Sequence, residues 1–125
     1  MTTEFKNALR SQETDIDGSL ERFSGDEDLY EQCLSDFLED QTMSQLGKAV
    51  TSKMWDDAFT AAHALKGVAG NLGLIPLFHE CAEIVMLIRS GRIDDVAVSY
   101  ETIKQTYAAV TKIIVVYGKH TAETL

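Results

Sequence analysis

Apolar residues recur along this chain at steps of three and four, the repeat of helices that bury one face. No window shows the sustained apolar and polar alternation that marks strands, and the one proline is Pro76. The pattern predicts an all-α protein. A short helix carrying Phe5 and Leu9 starts the chain, and a second around Leu20 to Phe23 leads into the turn Ser24-Gly25-Asp26; both read as caps on a larger bundle. From Asp26 a long helix is expected to about Ser52, with Leu29, Tyr30, Cys33, Leu34, Phe37, Leu38, Leu46, Ala49 and Val50 at helical spacing. Asp26 serves as its N-cap, and Glu27 and Asp28 fill the dipole-favoured first turn. The next helix spans about Trp55 to Gly73, where a glycine can end it before Pro76 opens a third helix to about Ser90. That third helix buries Leu77, Cys81, Ile84, Val85 and Ile88. A fourth runs from about Asp94 to Tyr117, with Val96, Tyr100, Ile103, Tyr107, Val110, Ile114 and Tyr117 stepping by four and three as in a coiled-coil seam. Four such helices joined by short turns pack most simply as an antiparallel up-down-up-down four-helix bundle. The expected bundle core covers about 26–118, with capping helices in 1–24 and a frayed tail at 120–125.

The second of the four helices is not simply two-faced. At about 100° per residue, Ala58, Ala61, Leu65, Val68, Ala69 and Leu72 share one face, whereas His63 points the other way beside Phe59, Lys66, Gly67, Gly70 and Leu74. A glycine inside a helix costs roughly 1 kcal/mol relative to alanine, so Gly67 and Gly70 do not serve local stability. On the histidine side they remove side chains that would stand between His63 and an approaching protein; the alternative is close packing of a neighbouring helix. Phe59 reads either as a docking anchor for a partner or as lateral packing against a neighbour. Lys66 is the only Lys or Arg between Lys53 and Arg89, so an acidic stretch sets its single cation one turn from the histidine.

An imidazole with an ordinary pKa of about 6.5 is a competent nucleophile near neutral pH. Attack by a ring nitrogen on phosphorus gives a phosphoramidate, labile enough to hand its phosphoryl group on to a carboxylate. The protein's task in such a transfer is positioning and neutralising charge on the equatorial oxygens, and Lys66 suits it.

The run His63-Ala64-Leu65-Lys66-Gly67, continued through Gly70 to Leu72-Gly73, resembles the motif of histidine phosphotransfer (HPt) domains, His-x-Leu-Lys-Gly with a further Leu-Gly downstream. The likeness extends from the Gly25-Asp26 turn through the final helix. The resemblance implies that His63 carries a phosphoryl group from the phospho-aspartate of one receiver domain to the aspartate of another in a two-component phosphorelay. It also implies that Lys66 stabilises the phosphoryl oxygens, while Gly67 and Gly70 admit the receiver. The implied partners are response-regulator receiver domains and a hybrid sensor kinase. Magnesium belongs to the receiver in such systems, so no cofactor or metal site is expected on this chain. There is one departure: some family members hold the imidazole with a polar side chain, often Gln, from the following helix, and by spacing that position falls on Val85.

Composition narrows the alternatives. With 125 residues and 45% apolar content the chain makes one globular domain. A net charge of −9 without a Lys/Arg cluster argues against nucleic acid or an anionic membrane as partner. No apolar run approaches the ~20 residues of a membrane span, and Met1-Thr2-Thr3-Glu4 does not begin a signal peptide, so cytoplasmic residence is the expectation; for an acidic bundle with no unusual apolar excess, so is a monomer. Cys33 and Cys81 lack metal-ligand spacing and read as small buried hydrophobes in a reducing compartment. A self-sufficient kinase is excluded by the lack of a glycine-rich phosphate loop or room for an ATP-binding domain. His79-Glu80 lacks the second histidine of a zinc hydrolase motif, and Thr60, Pro76 and Tyr117 stand three before the histidines where a di-iron bundle needs Glu. His79 is expected to pair with Glu83 one turn on. The other function class open to such a bundle is a helical adaptor that docks partners without carrying phosphate.

Overall fold

The computed structural model describes residues 1–118, and within them every regular element is helical. The helices are α1 (Thr3–Ser11), α2 (Ile16–Arg22), α3 (Glu27–Phe37), α4 (Thr42–Thr51), α5 (Trp55–Leu72), α6 (Ile75–Arg89) and α7 (Val96–Tyr117), with a 3₁₀ turn at Ile93–Asp95 before α7. The expected tail at 120–125 lies outside the described residues. α4 packs on α5, α5 on α6, α6 on α7, and α7 returns to α4, while α1 and α3 lie against α7 and α2 against α5. Phe5, Leu9, Leu34, Leu46, Leu65, Leu77, Ile84, Ile103 and Ile114 fill the shared core.

The single helix expected from Asp26 to Ser52 is instead two, α3 and α4. Asp26 does cap the first, its carboxylate accepting the Leu29 N–H at 3.0 Å. At the other end the N–H groups of Leu38, Glu39 and Asp40 donate to carbonyls three residues back, a tightening that ends α3. Asp40 then restarts the chain: its carboxylate accepts the Thr42 N–H at 2.8 Å and the Thr42 hydroxyl as well. The polar run Glu39-Asp40-Gln41-Thr42, which leaves the apolar row empty between Leu38 and Met43, is the local cause.

Three side chains are not where the helical wheel sets them. Leu29, assigned to the buried row, is 48% exposed, and Tyr117, the last residue of the α7 seam, is 43% exposed. Leu74, assigned to the outward row with His63, is 1% exposed. The helix ends at Leu72, and the left-handed turn at Gly73 (φ 73°) folds Leu74 inward. The two cysteines are unpaired, Cys81 fully buried and Cys33 half-buried. Burial pushes both thiols up, that of Cys81 to about 12, so neither is a thiolate at neutral pH.

Helices α2 and α3 do more than cover the bundle, because they complete the end of α5. A helix leaves its last four carbonyls unpaired, and here each finds a donor. Ala69 O accepts the Leu74 N–H at 2.9 Å, Gly70 O and Asn71 O accept Nη2 of Arg22 at 2.9 and 3.1 Å, and Leu72 O accepts the buried Tyr30 hydroxyl at 2.7 Å. Gly73 O in turn accepts the Asp15 N–H at 2.9 Å, beside a short bridge between Thr14 and Leu74. A side chain at Gly73 would strike the Ser19 hydroxyl and the Asp15 carbonyl, on top of the positive φ. Gly73→Ala is therefore expected to lower stability by about 2 kcal/mol, read as an earlier urea-unfolding midpoint at unchanged slope.

Candidate functional site

Helix α5 begins without a side-chain cap, and Asp56 and Asp57 complement its positive end. Ala58, Ala61, Ala62, Leu65, Ala69 and Leu72 are buried, while Val68 of the predicted stripe is half-buried. His63 lies on the uncovered side and is exposed. Among the described residues neither of its ring nitrogens takes part in a hydrogen bond; its ring partner is Phe59, parallel within 3° at a centroid distance of 6.2 Å. Phe59 is half-buried, and from α6 the Arg89 guanidinium carbon lies 5.4 Å from its ring centroid.

Lys66 is also half-buried and is held by an aromatic face. Its Nζ sits 5.5 Å from the centroid of Phe78, a residue of α6. The two glycines have different surroundings. A methyl group at Gly67 would meet nothing within 4 Å, so the helix surface one turn beyond His63 is bare. At Gly70 a methyl group would lie 3.1 Å from the Phe78 ring, so this glycine gives Phe78 its place against α5 and with it the seat of Lys66. The access expected of both glycines is thus visible as open space at Gly67 alone.

Val85, the position where some relatives carry an orienting side chain, is 6% exposed and packs in the core. The expected pair of His79 with Glu83 is not formed: His79 stands edge-on to Phe78 with ring centroids 5.5 Å apart, and Glu83 reaches toward the Ser99 hydroxyl at 3.5 Å. A cavity of about 400 Å³ opens between α4 and the start of α5, lined by Lys48, Met54, Asp57 and Thr60 among others, and does not include His63. His63 therefore lies on an open helical face. Among the described residues no group of three or more His, Cys, Asp or Glu side chains could hold a metal ion, and no helix is long and apolar enough to cross a membrane.

An exposed imidazole, a cation one turn away and a bare helix surface at Gly67 form a face that another protein can approach directly. A family model of the Hpt domain matches residues 28–112. The chain belongs to the Hpt domain family. No curated protein and no solved structure gives a match. The match runs from the first turn of α3 into α7 and takes in His63, Lys66, Gly67 and Gly70; it leaves out α1 and α2, the latter carrying Arg22. At the level of the family, an Hpt domain is a histidine phosphotransfer module of phosphorelays and works with receiver domains.

The residues of this candidate site that the sequence pattern does not mark are Phe78 and Arg89, both from α6. Nothing in their local spacing marks them, because their place beside Lys66 and Phe59 depends on how α6 crosses α5. The contrast between the glycines gives a measurable difference. Gly67→Ala is expected to raise stability by about 1 kcal/mol through helix propensity alone, and Gly70→Ala to fall short of that gain because the Phe78 ring must shift. Paired urea-unfolding curves of the two variants check this.

Proposed function

We propose that His63 is the residue phosphorylated in this Hpt domain, taking its phosphoryl group from the phospho-aspartate of one receiver domain and passing it to the aspartate of another. The observation that carries the reading is the uncovered His63 imidazole with Lys66 one turn on and open helix at Gly67. In the first transfer the lone pair of one ring nitrogen attacks phosphorus. The P–O bond to the aspartyl carboxylate breaks, the carboxylate leaves with its electron pair, and the proton on the other ring nitrogen can pass to water. The second transfer reverses these roles with a new carboxylate as nucleophile. In both, the Lys66 ammonium faces the charge on the phosphoryl oxygens. We place the magnesium used in such exchanges on the receiver, and no ATP-dependent step on this chain.

The partners on this reading are the receiver domains of response regulators and of a hybrid sensor kinase. A net charge of −9 supports protein partners over nucleic acid or anionic lipid. The carrier is a cytoplasmic monomer whose principal helices run up, down, up and down; the short α5–α6 connection at Gly73 and Leu74 supports that arrangement.

Two substitutions test the assignment. Mixing the protein with a phosphorylated receiver is expected to place acid-labile, alkali-stable phosphate on it. His63→Gln is expected to abolish the label with the helical circular dichroism unchanged, and label that persists in this variant overturns the proposal in favour of another acceptor. Lys66→Ala is expected to keep the label but slow its appearance about ten-fold, equivalent to roughly 1.4 kcal/mol of transition-state stabilisation, as followed by rapid-quench transfer kinetics.

A further inference from the structure

An exposed histidine on a helix is free to rotate about two side-chain torsions unless something restrains it. In this chain the restraint is not a hydrogen bond. Val85 is turned into the core, and among the described residues the His63 ring has no hydrogen bond or ion pair and one ring partner, Phe59. The two rings are one helical turn apart, parallel within 3° and 6.2 Å between centroids, inside the range in which offset-stacked rings attract. Phe59 is itself held, half-buried against the core with the Arg89 guanidinium carbon of α6 5.4 Å from its centroid.

We infer that Phe59 is a positioning residue for His63, setting the plane of the imidazole by stacking, with Arg89 steadying the phenyl ring from α6. The inference rests on the reading of His63 as the phosphoryl carrier. A stack differs from a hydrogen bond in what it leaves available. A partner on one ring nitrogen fixes the tautomer and therefore which nitrogen holds the lone pair; the face of Phe59 restrains the ring and engages neither nitrogen. The nucleophile is thus oriented for in-line attack while its exchange with solvent stays open. Phe59 acts through His63 and does not touch the phosphoryl group, which separates this role from that of a docking anchor on the partner.

The experiment uses the full chain as wild type, Phe59→Leu and Phe59→Tyr, with phosphoramidate as a small phosphoryl donor that needs no docking surface, and a phosphorylated receiver in parallel. Phe59→Leu is expected to slow phosphorylation by both donors about five-fold, and Phe59→Tyr to restore it. In proton NMR the His63 ring resonances are expected upfield in wild type and Phe59→Tyr, through the ring current of the stacked neighbour, and to move to the position of a free exposed histidine in Phe59→Leu. Slowing with the receiver alone, and unshifted ring resonances, would identify Phe59 as a docking anchor and overturn the inference. Wild-type rates with both donors in Phe59→Leu overturn it too. If no variant, wild type included, takes phosphate on His63, the carrier reading falls, and the ring resonances still decide whether Phe59 holds the imidazole.

Discussion

Helix α5 is the centre of the packing and at the same time presents an open face, and the width of its buried face is the constraint on which the remaining structure depends. It meets α2, α3, α4 and α6, yet one stripe along it stays uncovered. Alanine makes this possible. Ala58, Ala61, Ala62 and Ala69 bury little more than a methyl group each, so neighbouring helices can approach the α5 backbone closely without wrapping round its sides. Larger side chains at those positions would push α4 and α6 outward. His63 stands on the uncovered stripe because the helical repeat puts it opposite Leu65 and Ala69.

That repeat was readable from residue order, and so was most of the site. The limits of α5, the glycine that stops it, the proline in the first turn of α6 and the outward histidine all follow from spacing and from the few conformations that Gly and Pro favour. The break between α3 and α4 was also written in the chain, as a missing apolar position between Leu38 and Met43, but a row that resumes in register at Leu46 masks it. What could not be read was contact between helices. Gly70 looks identical to Gly67 on a helical wheel, and only the approach of Phe78 separates them. Phe59 offered two roles because its position between α5 and α6 depends on the angle at which the helices meet.

The two groups of the proposed site, the imidazole of His63 and the ammonium of Lys66, are each set against a phenyl ring, Phe59 and Phe78. An aromatic face is a weak and undemanding partner beside a carboxylate or an amide. A carboxylate ion-paired with Lys66 would compete with any incoming anion, whereas a phenyl ring holds the ammonium in place and gives it up at little cost. The same economy applies to the histidine, so the surface is organised without being neutralised.

The bonds that close the end of α5 join residues far apart in sequence: Tyr30 to Leu72 across 42 positions, and Arg22 to Gly70 and Asn71 across 48 and 49. Contacts of that span raise the contact order of an otherwise local helical fold, and their loop-closure entropy must be met before they form. The last turn of α5 and the docking of α2 and α3 are therefore one cooperative unit. Amides at Gly73 and Leu74 and those at the start of α2 would open together in hydrogen exchange, as a single foldon that spans both ends of the loop it closes.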